Sequence, residues 1–276
     1  MEKLQAALSR AREKRENETG QAYRPGQSAR ARSRKIIQSE ALQSRWAEIP
    51  MFEPSAARMH DARIYASEVS PEAQHYDILR TKLFLEMRRN GWTRIAITSA
   101  TSGCGKTTTA CNLIAGLGRQ PESKGILFDL DFRRPAVAKR FGVKPPHSLE
   151  QVLLGEVEFS EQAMRLNENT AISMTTGAVN DPARVILRSQ TTDVLDQIQS
   201  YYKPELMLFD LPPVLVSDET RGFLKLVDAV LILASAETST VAQIDEVESE
   251  IAQYSNVAGI VLNQCRYMDE GYGYAY

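Results

Sequence analysis

Long apolar runs are missing from this chain of 276 residues. No stretch of about 18 apolar residues occurs, so no segment has the composition of a membrane-spanning helix. The most apolar segment, Ala229 to Ala236, has the length of a strand. Cysteine is scarce: the three present have no metal-ligand spacing and no C-x-x-C pair. That argues against a disulfide framework and an iron–sulfur carrier and points to a reducing compartment. Met1 to Glu18 is too charged to hold a secretory h-region, so the expected location is cytoplasmic. What remains is an ordinary globular composition, 43% hydrophobic and 25% charged, in a chain able to bury one large core or two small ones.

Net charge is −2 overall, but residues 1–50 carry 11 Lys/Arg against 6 Glu, a net of +5. A basic arm can meet anionic lipid, nucleic acid or an acidic protein tail, or simply be a solvated extension. Residues 1–18 place Leu4, Ala7, Leu8 and Ala11 at helical spacing, 19–35 read as linker, and 36–46 read as a helix. From Pro71 the pattern firms: Tyr76, Leu79, Leu83, Phe84 and Met87 lie on one helical face. The organisation read here is a basic arm over 1–70, a folded domain over 71–263 and a flexible tail over 264–276.

Within the domain, strands are expected at 94–99, 125–129, 171–175, 206–210, 229–234 and 257–262. Helices are expected near 106–118, 135–141, 148–154, 183–200, 220–226 and 240–253. Short apolar strands alternating with amphipathic helices imply an α/β fold, a mostly parallel central sheet with helices on both faces. Ligands then bind beyond the carboxyl ends of the strands.

Directly after Ile95-Ala96-Ile97-Thr98, residues Ala100 to Thr107 read A-T-S-G-C-G-K-T. This spacing is that of a phosphate-binding loop. Ser102, Gly103, Cys104 and Gly105 offer backbone N–H groups to an anion at the start of a helix. Lys106 can reach the β- and γ-phosphates, and Thr107 can ligate Mg²⁺, with Thr108 next in the cradle. Cys104, near a helix N-terminus, is either an acidic thiol or a small residue suited to a tight loop.

Carboxylates end two other apolar strands. Ile126-Leu127-Phe128 runs into Asp129-Leu130-Asp131-Phe132-Arg133-Arg134-Pro135, and Leu206 to Phe209 ends in Asp210-Leu211-Pro212-Pro213. Beside a phosphate loop such groups can hold Mg²⁺ or its water and accept a proton. Asp218 is a weaker candidate for the same shell and equally a helix cap. The last ten residues, Y-M-D-E-G-Y-G-Y-A-Y, carry Tyr267, Tyr272, Tyr274 and Tyr276. With a pKa of about 10 a tyrosine is a poor nucleophile unless a base and a phosphoryl donor are near; the plainer reading is a sticky aromatic tail.

Taken together, these segments resemble the bacterial tyrosine kinases of capsule and exopolysaccharide synthesis, P-loop proteins related to the Min/ParA ATPases. The resemblance covers about residues 71–276 and rests on Ser99 to Thr108, on Asp129 to Pro135, on Leu208 to Pro213 and on the terminal tyrosines. It implies ATP and Mg²⁺ as cofactors, with Lys106, Asp129, Asp131 and Asp210 catalytic. Asp129 would act near the acceptor hydroxyl, and Thr107, Asp131 and Asp210 near the metal. Ser102 to Thr108 would bind nucleotide, and Asn263 would contact adenine or cap its strand. Tyr267, Tyr272, Tyr274 and Tyr276 would be the phosphoacceptors. It further implies a membrane-embedded polysaccharide co-polymerase as activator, recruitment to the inner face of the cell membrane, a homo-oligomeric ring, and no nucleic-acid partner.

One departure stands out. The family's ring-forming E-x-x-R-x-x-R reads here as Gln74-x-x-Asp77-x-x-Arg80. Two rival readings remain: a Min/ParA-like positioning ATPase, and a nucleotide-binding adaptor of an export complex without catalysis. Against the first, Thr101 stands where those ATPases carry an early loop lysine.

Overall fold

The computed structural model describes residues 39–265. The chain divides into two compact units, Met1–Ser44 and Arg45–Tyr276. Of the first, only residues 39–44 are described, and they are helical. The linker and short helix expected before them, and the four tail tyrosines, lie outside the described residues.

The second unit is built on a seven-stranded sheet: β1 (Arg94–Ser99), β2 (Gly125–Asp129), β3 (Met164–Arg165), β4 (Thr170–Ser173), β5 (Leu206–Asp210), β6 (Ala229–Ser235) and β7 (Asn256–Asn263). The order is β3-β4-β2-β5-β1-β6-β7, all parallel except β3 against β4. Every residue of β2, β5 and β6 is buried, as the runs G-I-L-F-D, L-M-L-F-D and A-V-L-I-L-A-S require when helices cover both faces. The chain passes from β1 to β2 over β5, so β1, β5 and β2 deliver their carboxyl ends to one place.

The six expected strands are all present. The helix expected over 183–200 is two helices, Pro182–Ile186 and Ser189–Tyr202, because Arg188 between them is extended (ψ 141°). Asp181 caps the first and Thr191 Oγ1 bonds back to Val185 O at 2.6 Å, a break that a continuous apolar pattern hides. β3, two residues long, is too short for any periodicity to reveal.

The boundary at 70/71 moves to 44/45. Residues 45–70, assigned on sequence to the arm, bury Trp46, Ile49, Met59, Ala62, Ile64 and Ala66. Trp46 Nε1 donates to Tyr202 O at 2.8 Å, and the chain beyond it pairs with β3 through Arg165 N to Pro50 O and Phe52 N to Arg165 O. The segment lacks a repeating period because it crosses the domain as short turns.

Gln74, Asp77 and Arg80 lie on the helix Gln74–Asn90. Asp77 and Arg80 serve the fold itself. Asp77 Oδ1 accepts from Arg80 Nη1 at 2.8 Å and from Arg119 Nη2, and Arg80 Nη1 also donates to Gly116 O at 2.7 Å. Burial pulls the Arg80 pKa down, against the pull of Asp77.

Candidate active site

β1 ends at Ser99, and the loop that follows turns back into the helix Lys106–Leu117. Gly105 stands at φ +89°, where an added Cβ would be strained and would also collide with the Asn263 amide. The loop is braced by the end of β7: Asn263 Nδ2 donates to Cys104 O and Gln264 Nε2 to Gly103 O, both at 2.9 Å. Lys106 is 7% exposed and its Nζ donates to Ser99 Oγ at 3.1 Å.

Above the loop is a cleft of about 430 Å³. Of the residues singled out from sequence, Ser102, Gly103, Gly105, Lys106, Thr107, Thr108 and Asp131 line it. Cys104, Asn263, Asp129 and Asp210 do not. Cys104 is fully buried, its thiol bonded to Thr101 O at 3.3 Å. Burial pushes that thiol up, but hydrogen bonding with Thr101, Ser239 and Ser99 and the Lys106 charge outweigh it, so its pKa lies below the ordinary value.

Asp129 and Asp210 sit side by side at the ends of β2 and β5, both with no exposure. Asp129 Oδ2 accepts from Val137 N at 3.1 Å, while Asp129 Oδ1 and both Asp210 oxygens have no hydrogen-bond partner. Burial, then the neighbouring Asp210, holds Asp129 well above the ordinary carboxyl range. Burial pushes Asp210 up to about 6, offset in part by the nearby Thr107 hydroxyl and the Lys106 ammonium. The Thr107 hydroxyl stands close without completing a regular hydrogen bond to that carboxylate. Unpartnered, fully buried carboxylate oxygens under a phosphate loop fit a hydrated Mg²⁺, which takes one or two carboxylates and keeps several waters. Among the described residues no group of three or more His, Cys, Asp or Glu is arranged to hold a metal ion.

Arginines also line the cleft: Arg134, from the Asp129 to Pro135 segment, and Arg63 and Arg140, which no motif contains. No period marks them. The one readable hint is Asn112, a polar residue within Ala110-Cys111-Asn112-Leu113-Ile114 that is fully buried.

A sequence profile of the CobQ/CobB/MinD/ParA nucleotide binding domain matches residues 95–271. The chain belongs to this family. It is thus a nucleotide-binding P-loop domain. Tyrosine-protein kinase YwqD of Bacillus subtilis is 26% identical over 196 residues, covering 70% of this chain and 81% of the relative. Tyrosine-protein kinase Wzc of Salmonella typhi is 26% identical over 208 residues, 70% of this chain but 28% of the relative. The chain spans about a quarter of the length of several other curated relatives, EpsB of Ralstonia solanacearum among them at 27%. The kinase domain of Escherichia coli tyrosine kinase ETK shares the fold, with a TM-score of 0.65 and 23% identity over 75% of this chain and 81% of that one. So does the cell division ATPase MinD of Pyrococcus furiosus, at 0.55 and 24% over 64% and 74%.

Proposed function

We propose that this P-loop domain is an ATP-dependent protein-tyrosine autokinase that regulates exopolysaccharide or capsule polymerisation and export. The observation that carries the reading is where the chain leaves the sheet. Gln264 lines the nucleotide cleft and bonds to Gly103 O, so the tyrosine-rich end begins at the rim of the site. Tyr267 follows three residues later, at most about 11 Å of extended chain. The relatives named tyrosine-protein kinases support the same chemistry.

In this reading bound ATP·Mg²⁺ supplies the phosphoryl group. Ser102 to Thr108 hold the phosphates through backbone N–H groups, with Lys106 leaving Ser99 to meet the negative charge. Thr107, Asp131 and Asp210 hold the metal or its waters. Asp129 takes the phenolic proton, for which a carboxyl with a raised pKa is better suited than an ordinary one. The acceptors are Tyr267, Tyr272, Tyr274 and Tyr276. Asn263, which braces the loop through Cys104, is the proposed adenine contact.

The partner class is a membrane-embedded polysaccharide co-polymerase that recruits the protein to the inner face of the membrane. Among the described residues no helix is long and apolar enough to cross a membrane. Homo-oligomers are compatible with the reading, and nucleic acid is not a partner. The fold shared with MinD favours one rival, a positioning ATPase. Incubation with ATP and Mg²⁺ separates the two: the kinase leaves phosphotyrosine on the protein, and the positioning ATPase releases phosphate and leaves none.

A further inference from the structure

We propose that Arg63 is a phosphate-binding residue supplied from upstream of the P-loop, holding the α/β end of the nucleotide's phosphate chain, and that Asn112 is its positioning residue. The inference rests on nucleotide binding and not on tyrosine transfer.

Arg63 closes the short helix Ala56–Asp61. Its N–H donates to His60 O at 2.9 Å and Ile64 N to Met59 O at 2.8 Å, the turn at which a helix usually takes glycine. Arg63 instead adopts φ +59°, a left-handed conformation that costs an ordinary side chain conformational energy. The guanidinium does not offset that cost within the fold. Among the described residues it has no hydrogen bond or ion pair, and it stands exposed on the wall of the phosphate cleft. A strained residue whose side chain makes no hydrogen bond or ion pair within the fold, facing a ligand site, is the pattern of a residue kept for the ligand.

Asn112 fixes it there. Its Oδ1 accepts from Tyr65 N at 2.8 Å and Ala66 N at 3.0 Å, and its Nδ2 donates to Arg63 O at 2.8 Å and Thr108 O at 2.9 Å. One fully buried amide, with all four hydrogen-bonding positions filled, therefore ties the turn carrying Arg63 to the first turn of the P-loop helix. Arg140 holds the same turn from the other side, Nη1 donating to Ala62 O at 3.1 Å.

The placement chooses the phosphate. Lys106 lies against β1 through Ser99, and its reach is to the β- and γ-phosphates. Arg63 is fastened through Asn112 to Thr108, two residues further along the P-loop helix. With Lys106 turned to the β- and γ-phosphates, the α/β end is left to Arg63, whose planar fork can meet two phosphate oxygens at once.

The test is Arg63→Gly, with ADP and ATP titrated by calorimetry in Mg²⁺ and the melting temperature taken without nucleotide. Loss of a charge-assisted contact predicts that the Kd for ADP and for ATP both rise about tenfold or more. Because glycine is at ease at positive φ, the melting temperature holds or rises by up to about 3 °C. Arg63→Lys retains part of the affinity. A purely structural arginine predicts the reverse, a lower melting temperature with affinity unchanged. Unchanged ADP and ATP affinity in Arg63→Gly overturns the proposal. So does a loss confined to ATP, or a fall in melting temperature of more than about 5 °C. The titrations decide the role of Arg63 even in a protein that binds nucleotide and never phosphorylates tyrosine.

Discussion

Asp129 and Asp210 are paired neighbours on adjacent parallel strands, yet only Asp129 is hydrogen-bonded. In the proposed function the asymmetry suits different tasks: Asp129, held by Val137 N, would take the proton, and Asp210, left open, would face the hydrated cation.

This openness is measurable as pH-dependent stability. Asp210 is raised to about 6 in the fold, above its ordinary value of 3.8. The folded state thus binds more protons than the unfolded one between those values, so its contribution to stability falls as pH rises through about 4 to 6 and stays lost above. The cost above pH 6 is on the order of 2–3 kcal/mol. Asp210→Asn is expected to melt several degrees higher than the parent at pH 7.5 without nucleotide, with the gap closing near pH 4. The same variant should lose the stabilisation that Mg²⁺·nucleotide gives the parent. Equal melting at pH 7.5 would show that Asp210 carries no such burden.

The segment 45–55, which buries Trp46 and Ile49, should be indispensable to folding. A chain beginning at Arg45 retains Trp46, whose ring packs edge-on against Tyr202 at 6.0 Å under the Lys124 ammonium at 4.6 Å, together with Ile49. A chain beginning at Ala56 loses both, a destabilisation of about 5 kcal/mol or more. Urea denaturation should show the first near the full-length midpoint and the second far below it. Matching midpoints would return the boundary to residue 70.

Asp77 should behave as a structural residue. Asp77→Ala leaves Arg80, 8% exposed, and Arg119 without their shared carboxylate, at a cost of roughly 2–3 kcal/mol in urea denaturation. If the pair instead served contacts between subunits, the variant would keep its monomer stability and shift only its sedimentation.

The sheet and the loop are legible in the sequence because both rest on local rules. Continuous apolar runs such as Ala229 to Ser235 mark fully buried strands, and Gly103, Gly105, Lys106 and Thr107 stand at fixed offsets. Arg63 is not legible because a turn without a period brings it to the cleft, and Arg140 because the helix expected over 135–141 does not reveal which of its residues face the cleft. Trp46 and Ile49 escape notice for the same reason: their partners lie some 150 residues on, in Tyr202 and its surroundings. The altered residues of Gln74-x-x-Asp77-x-x-Arg80 read as a weakened contact, but the inward use of Asp77 and Arg80 depends on Arg119 and Gly116, which sequence alone does not place beside them.

The central claim is phosphoryl transfer to the protein's own terminal tyrosines. The direct measurement is mass spectrometry of the full chain after incubation with ATP and Mg²⁺, beside a folded Lys106→Met variant. The account predicts phosphate on Tyr267, Tyr272, Tyr274 or Tyr276 in the parent and none in the variant. A parent that binds ATP yet carries no phosphotyrosine, or a variant phosphorylated as fully as the parent, would contradict it.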